Sequence, residues 1–199
     1  MANKKDLNFE TKVIHAGQKS DPTTGAVMTP IVLASTFEQS SPGVHKGYDY
    51  SRSINPTREA FENCIASLEN GVKGYGFSSG VAAISACIEL LSPGDHVIAM
   101  DDLYGGSVRL FNEIKTISQG IEVSYVDMTN VDNIKANLKE NTKMIFVETP
   151  TNPLLKIADL SKIARLAKAN KILTVCDNTF ASPFNQQPLN HGFDTVSYT

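Results

Sequence analysis

The chain has 199 residues, of which 41% are hydrophobic, so it can form one substantial folded domain. Its 18 basic and 21 acidic residues are well mixed and give a net charge of −3, which argues against a nucleic-acid partner and a disordered acidic tail. The charged start is followed by no apolar run, so we expect neither a signal peptide nor a membrane-spanning segment. The three cysteines have no disulfide or metal spacing and indicate reduced thiols in a cytoplasmic protein.

The first part of the chain contains no long periodic segment, and turn or extended signals recur around residues 29–32 and 41–43. We therefore predict that residues 1–56 form an arm that packs on another surface. Asn55 and Pro56 predict the start of a helix, because Asn caps helices well and Pro is tolerated at the first helical position.

Tyr50 and Arg52, within this arm, would point the same way in an extended segment. A hydroxyl beside a guanidinium suits a phosphate group, which Arg can bind with two hydrogen bonds. The alternative is that both are ordinary exposed side chains.

From residue 73 onward, short apolar strands alternate with helices. We predict strands at residues 74–77, 96–100, 121–126, 144–147, 172–176 and 196–198, and helices at residues 81–91, after 105–106, at 131–138 and at 160–169. This alternation is typical of a parallel sheet covered on both faces. The predicted fold class is therefore α/β with a mostly parallel central sheet.

The loops that follow the strands should lie along one edge of this sheet, where α/β proteins bind ligands. The strand at residues 172–176 ends in Asp177, and a buried carboxylate without a cationic partner is costly. We predict that Asp177 faces a cation, for which the protonated pyridine nitrogen of pyridoxal phosphate is our candidate. The alternative is that Asp177 only caps the following turn.

Three other loops at this edge carry polar or aromatic residues. Ser79 and Gly80 lead directly into a helix, whose free N–H groups favour an anion, although such a turn is as often mere tight packing. Tyr104 could stack on a flat cofactor, and Asn152, held between two prolines, could donate to a phenolate oxygen. No glycine-rich nucleotide fingerprint and no ligand spacing among the histidines occur, so a dinucleotide, ATP or metal site is disfavoured.

Five motifs together resemble those of the Cys/Met-metabolism family of pyridoxal phosphate enzymes, which includes cystathionine γ-synthase, cystathionine γ-lyase, cystathionine β-lyase and methionine γ-lyase. The motifs are Tyr50-Ser51-Arg52 with Asn55-Pro56-Thr57, Ser79-Gly80, Leu103-Tyr104-Gly105-Gly106, Glu148-Thr149-Pro150-Thr151-Asn152-Pro153 and Asp177-Asn178-Thr179-Phe180. Each motif is weak alone, but their order and spacing across nearly the whole chain are specific. The amino-acid sequence around residues 45–57 and 100–111 looks closest to that of cystathionine γ-lyases and γ-synthases.

The resemblance implies the fold of aspartate aminotransferase-like (fold type I) transferases and a role for each matching residue. Asp177 would bind the pyridinium nitrogen, and Tyr104 would stack on the ring and help to move a proton at the leaving group. The other residues expected to bind the cofactor are Ser79, Gly80, Val81, Asn152, Thr179, Ser197 and Thr199. Tyr50 and Arg52 would reach the phosphate in a neighbouring subunit, so the site would belong to a dimer, within a tetramer.

The chain departs from the family pattern at its end. The family's Schiff-base lysine lies in a Ser-x-Thr-Lys motif shortly after the Asp177 strand, and this lysine is absent. An ungapped alignment places Thr199 on the Ser of that motif, whereas a gapped one places Ser197 and Thr199 on its two hydroxyls. We prefer the ungapped alignment, because residues 196–198 then continue a strand. We expect residues 57–199 to be the first part of the cofactor domain of a longer enzyme, with the lysine and the C-terminal domain beyond Thr199.

The function implied is that of a carbon–sulfur lyase or transferase of trans-sulfuration, which eliminates or replaces a γ-substituent on cystathionine or an activated homoserine. The alternatives are cystathionine β-lyase, methionine γ-lyase and O-acylhomoserine sulfhydrylase. A small sulfur-containing amino acid and further copies of the chain are the expected partners. If the chain truly ended at Thr199, a non-catalytic α/β binding module would be the alternative from another class.

Overall fold

The computed structural model describes residues 7–199, so the first six residues, on which the expected absence of a signal peptide partly rests, lie outside it. The chain divides into two compact units, one that ends at Gly76 and one that runs from Phe77 to Thr199. No helix within the described residues is long and apolar enough to cross a lipid bilayer. The predicted division at residue 56 into an arm and a cofactor domain stays a prediction.

The first unit contains two helices and a short antiparallel strand pair. These are α1 (Phe9–His15), β1 (Gln39–Ser41), β2 (Val44–His45) and α2 (Pro56–Leu68). The predicted start of α2 is confirmed, because the Asn55 side chain accepts hydrogen bonds from the N–H groups of Thr57 and Arg58 and Pro56 is the first helical residue. The short helix α1 was not predicted. It packs on α2, and the chain after it comes so close that a Cβ at Gly17 would collide with the Ala60 carbonyl.

The second unit alternates strands and helices, as predicted. Its elements are α3 (Gly80–Ile88), β3 (His96–Met100), α4 (Gly105–Arg109), a π-helix (Leu110–Lys115), α5 (Thr116–Ser118), β4 (Glu122–Val126), α6 (Val131–Ala136), β5 (Thr142–Glu148), α7 (Leu160–Asn170), β6 (Leu173–Asp177), α8 (Ser182–Asn185), a 3₁₀ helix (Pro188–His191) and β7 (Thr195–Ser197).

The five strands of this unit form one sheet in the order β4-β3-β5-β6-β7, and every neighbouring pair is parallel. All five residues of β3 are buried, as expected for a strand covered on both faces. The predicted α/β fold with a parallel central sheet is confirmed. In the register of the sheet, Glu148 pairs with Asp177 and Asp177 pairs with Ser197, so the carboxyl ends of β5, β6 and β7 bring three polar residues into one row.

One predicted strand, at residues 74–77, is wrong. The chain there lies against α2 instead of pairing with a strand, because Gly76 donates its N–H to the Glu62 carboxylate at 2.8 Å. A Cβ at Gly74 would collide with the Glu62 carbonyl. The helix predicted at residues 81–91 also ends earlier, at Ile88.

Candidate functional site

Asp177 is the last residue of β6 and is buried. Its Oδ1 accepts hydrogen bonds from the backbone N–H of Thr179 at 3.0 Å and from the Thr179 hydroxyl at 2.5 Å. Asp177 therefore does cap the following turn, as the alternative interpretation expected. Both bonds use the same oxygen, and no donor among residues 77–199 reaches Oδ2. Turn capping and ligand binding are thus compatible at this carboxylate.

The charge of Asp177 is not balanced by any basic side chain within residues 77–199. Burial raises the pKa of this carboxyl group, and the hydrogen bonds from Thr179 only partly oppose the effect. A cation that approached Oδ2 would lower the pKa and stabilise the ionised form. The site therefore suits a ligand that presents a positively charged N–H group.

Tyr104 is the N-cap residue directly before α4 and is 46% exposed. The ring lies over Gly106 so closely that a Cβ at that residue would collide with it. The backbone N–H of Tyr104 donates to Oε2 of Glu148 at 2.9 Å. The ring thus lies against the first turn of α4 in a partly exposed residue.

Asn152 lies in the loop after β5, and the peptide bonds before Pro150 and Pro153 are both cis. Its backbone N–H donates to Oε1 of Glu148 at 2.8 Å. Its half-buried side-chain amide has no hydrogen-bond partner in the part of the chain that the structure describes. The amide is therefore available to a ligand.

Ser79 and Gly80 meet the end of the chain at the start of α3. The Ser79 hydroxyl oxygen caps the helix by accepting from the Ala82 N–H at 3.2 Å. A Cβ at Gly80 would collide with the Thr199 side chain, so only glycine allows this approach. Thr199 in turn donates its backbone N–H to the Thr179 hydroxyl at 3.1 Å. Half-buried Val81 follows Gly80 on the helix.

Ser197, at the end of β7, is the register partner of Asp177 and is buried. Its hydroxyl oxygen has no hydrogen-bond partner within the described residues. A buried hydroxyl without a partner is unfavourable, so a ligand atom is an expected partner for it.

Glu148 was missed as a functional residue by the sequence analysis, which quoted it in a motif but gave it no role. It ends the buried strand β5 as Asp177 ends β6, and this shared position was the available signal. Burial is the main cause that raises its pKa to about 7; the charges of Asp177 and Asp102 add to this effect, whereas hydrogen bonds from Tyr104 and Asn152 oppose it.

Tyr50 and Arg52 lie in the first unit. The Arg52 guanidinium is 5.0 Å from the centroid of the Tyr50 ring, so the two side chains lie together, although residues 51–53 form a turn and not the extended segment that the sequence suggested. Arg58 fixes the turn around them by donating to the carbonyl oxygens of Ser51 at 3.0 Å and Ser53 at 2.9 Å. Their expected contact with a phosphate stays a prediction.

No cluster of three or more His, Cys, Asp or Glu side chains suitable for a metal ion occurs within residues 7–199. The polar groups instead converge on the carboxyl edge of a parallel sheet. They comprise an uncompensated carboxylate, an exposed aromatic ring, a helix N-terminus and free hydroxyl and amide groups. This set defines an α/β protein with a site for a flat ligand that carries both a cationic nitrogen and an anionic group.

The chain belongs to the Cys/Met metabolism PLP-dependent enzyme family, whose profile it matches over residues 10–199. It is 55% identical to a cystathionine β-lyase of Coxiella burnetii, over 99% of this chain and 51% of that protein. It is 45% identical to a cystathionine γ-lyase of Dictyostelium discoideum, over 100% of this chain and 51% of that protein. The predicted family and its cofactor, pyridoxal phosphate, are confirmed.

The structure is similar to a crystal structure of cystathionine γ-lyase from Lactobacillus plantarum in complex with L-serine. The TM-score is 0.94 and the identity 46%, over 96% of this chain and 50% of that one. This similarity confirms the predicted fold. The chain spans about half the length of the curated relatives that it matches.

Proposed function

We propose that the full-length protein is a carbon–sulfur lyase or transferase that uses pyridoxal phosphate and acts on cystathionine or a related amino acid. The observation that carries this proposal is the Oδ2 atom of the buried residue Asp177, which no donor and no cationic side chain of residues 77–199 reaches. A pyridinium N–H would supply the missing positive charge and the missing hydrogen-bond donor. Such a charge-assisted hydrogen bond contributes about 1.5–3 kcal/mol. With its nitrogen kept protonated, the cofactor serves as an electron sink for bonds at the substrate Cα.

The other site residues fit the remaining parts of the cofactor. At the N-terminus of α3, the N–H groups of Gly80 and Val81 have no acceptor within the helix and would bind the phosphate, together with the hydroxyls of Ser79 and Thr199. Asn152 would donate to the ring oxygen, whereas Thr179 would act through Asp177, whose carboxylate it orients.

Tyr104 would stack on the cofactor ring and move a proton at the leaving group of the substrate. Its exposed ring supports this role. The buried Ser197 hydroxyl, beside Asp177, would complete its hydrogen bonding with the cofactor. The lysine that holds the cofactor covalently would follow Thr199, in the half of the relatives' length that this chain does not span.

Two reaction types are compatible with this site. The sequence favours the γ type, in which cystathionine yields cysteine, 2-oxobutyrate and ammonia, or in which sulfur replaces the γ-substituent of an activated homoserine. The β type, in which cystathionine yields homocysteine, pyruvate and ammonia, is favoured by 55% and 51% identity to proteins named cystathionine β-lyase. The two eliminations share the loss of the Cα proton and differ in which carbon–sulfur bond breaks.

We also propose that two subunits build each site, within a tetramer, because Tyr50 and Arg52 form an exposed pair. They would reach the phosphate bound by a neighbouring subunit. Mixing Arg52→Ala subunits with Asp177→Asn subunits, each impaired when alone, should then restore part of the activity, since some sites would regain both residues. No recovery after subunit exchange would contradict the shared site. The three cysteines form no disulfide within residues 7–199, which supports a cytoplasmic location.

The test of this function is an absorbance spectrum of the full-length protein before and after borohydride, together with its intact mass. We expect a yellow protein, loss of the visible band on reduction, and one cofactor mass fixed per chain on the lysine after Thr199. Incubation with cystathionine then separates the reaction types by whether 2-oxobutyrate or pyruvate is released. A protein that stays colourless with added pyridoxal phosphate would contradict the proposal and favour a non-catalytic binding module.

A further inference from the structure

Glu148 and Asp177 stand side by side at the carboxyl ends of β5 and β6. Neighbouring strands in a sheet are about 4.8 Å apart, so the two acidic residues start from adjacent backbone positions. Glu148 is only 5% exposed. Burial raises the pKa of Glu148 to about 7, and the charge of the neighbouring Asp177 carboxylate adds to this effect. Such a residue calls for an explanation beyond packing.

Both oxygens of the Glu148 carboxylate are used, one for each of two loops. Oε2 accepts the backbone N–H of Tyr104 at 2.9 Å, in the loop after β3. Oε1 accepts the backbone N–H of Asn152 at 2.8 Å, in the loop after β5. The carboxylate thereby sets the backbone position of two proposed cofactor-contacting residues relative to the strand end that carries Asp177.

A second buried acid joins the same two loops without touching Tyr104 or Asn152. Asp102 accepts the hydroxyl of Thr151 and the backbone N–H of Leu154, the latter at 2.9 Å. The loops therefore stay connected when Glu148 is replaced. Asp102 also provides a matched comparison, because Asp102→Asn removes a buried negative charge beside the same loops, keeps an oxygen that can accept both bonds, and leaves the N–H of Tyr104 paired.

We propose that Glu148 is a positioning residue that fixes Tyr104 and Asn152 against the cofactor and Asp177. This inference rests on the proposed function and deepens it. Glutamine has the same shape but offers one oxygen and one NH₂ group, so in Glu148→Gln a donor would face one of the two N–H groups. One of the two loops must then shift. If it is the loop after β3, the Tyr104 ring shifts with it.

The test compares wild type, Glu148→Gln, Asp102→Asn, Tyr104→Phe and the double variant Glu148→Gln/Tyr104→Phe in the full-length protein. The readouts are the dissociation constant for pyridoxal phosphate, the visible circular dichroism of the bound cofactor, kcat and KM at saturating cofactor, and thermal unfolding. We expect Glu148→Gln to change the cofactor's circular dichroism and to lower kcat roughly ten-fold with little change in KM. In the Tyr104→Phe background the same substitution should lower kcat less than about three-fold, because the phenolic hydroxyl, which is one of the groups that Glu148 positions, is already gone.

Each of the following outcomes would overturn the inference. A folded Glu148→Gln variant with wild-type kcat and circular dichroism would show that the loops need no such anchor, while the proposed function would stand. Equal losses in Asp102→Asn and Glu148→Gln would show a general effect of removing a buried charge near these loops. Full additivity with Tyr104→Phe would show that Glu148 does not act through Tyr104. If Glu148→Gln failed to fold, Glu148→Asp would decide, because its shorter side chain cannot reach both N–H groups: wild-type kcat and circular dichroism in that variant would overturn the inference. A wild-type protein that takes up no pyridoxal phosphate would overturn the inference and the proposed function together.

Discussion

The ring of Tyr104 lies over Gly106 with no room between them for a Cβ. Together with the bond from its N–H to Glu148, this contact determines where the ring sits. The lack of a side chain at Gly106 therefore matters for the position of the ring, whereas the lack of a side chain at Gly105 does not. A Cβ at Gly105 would meet only the end of the Arg109 side chain, at an ordinary 3.8 Å.

Gly106→Ala should displace the Tyr104 ring, whereas Gly105→Ala should leave it in place. We expect kcat of the Gly106→Ala protein to fall roughly ten-fold, which is the effect of about 1.4 kcal/mol on the barrier. The Gly105→Ala control should stay within about two-fold of wild type. Steady-state kinetics at saturating cofactor measure both, and equal activity in the two variants would contradict a role for the ring position.

Ser197→Ala should weaken cofactor binding without lowering the stability of the cofactor-free protein. Because the buried hydroxyl has no partner within the described residues, its removal should leave the stability of the cofactor-free protein unchanged or raised. Affinity for pyridoxal phosphate should fall roughly five-fold if the cofactor supplies the missing hydrogen bond. Ser107 is the matched control, since its hydroxyl is also buried without a partner among the described residues but lies within α4. Titration of cofactor-free Ser197→Ala and Ser107→Ala with pyridoxal phosphate measures the two affinities. Equal affinities would contradict a hydrogen bond between Ser197 and the cofactor.

Arg52→Ala should weaken cofactor binding in the assembled protein, because a guanidinium that pairs with phosphate contributes a charge-assisted bond. We expect a dissociation constant at least about ten-fold higher. Arg165→Ala, on the exposed side of α7, removes the same charge and should bind the cofactor normally. Equilibrium dialysis measures both constants. An Arg52→Ala protein that stays fully loaded under dialysis would rule out the phosphate role.

The fold should lose stability in mild acid through His96. This ring is fully buried at the amino ends of the strands, with its two nitrogens hydrogen bonded to Thr142 at 2.8 Å and Ser124 at 2.9 Å. Burial lowers its pKa below the ordinary value of 6.5; the charge of Lys139 adds to this and that of Glu122 opposes it. As pH falls below about 6.5, His96 therefore takes up a proton in the unfolded chain before it does so in the folded protein. This uptake favours the unfolded chain, so the free energy of unfolding decreases.

Urea unfolding at several pH values between 8 and 5 measures this effect. The decline in the free energy of unfolding should be steeper in wild type than in His96→Gln, which has no proton to gain. Parallel pH profiles would contradict the assignment.

The central strands were predictable because they are buried on both faces and consist of short apolar runs. The prediction for β3, residues 96–100, matches the structure at both ends, and Asp177 lies where a strand-ending acid was expected. The strand wrongly predicted at residues 74–77 shows the limit of local patterns. Whether Gly76 pairs with a strand or with the Glu62 side chain depends on where α2 packs, and no periodicity in the sequence encodes that contact.

The candidate site was predictable to a similar degree. The residue types and their positions after strands were visible in the sequence, but the partners of each side chain were not. Glu148 illustrates the difference, since the two N–H groups that it accepts lie 44 and 4 residues away. Only the path of two loops brings these groups to the same carboxylate.

The most direct test of the central claim is the affinity of full-length Asp177→Asn for pyridoxal phosphate. Asparagine keeps the shape and can still accept from Thr179, but it removes the charge that would hold a pyridinium nitrogen. The matched control is Asp159→Asn, which alters a carboxylate that caps α7. We predict a dissociation constant roughly 10 to 100 times higher for Asp177→Asn, a near-complete loss of turnover, and wild-type affinity for Asp159→Asn. An Asp177→Asn protein that binds the cofactor and turns over like wild type would contradict the account.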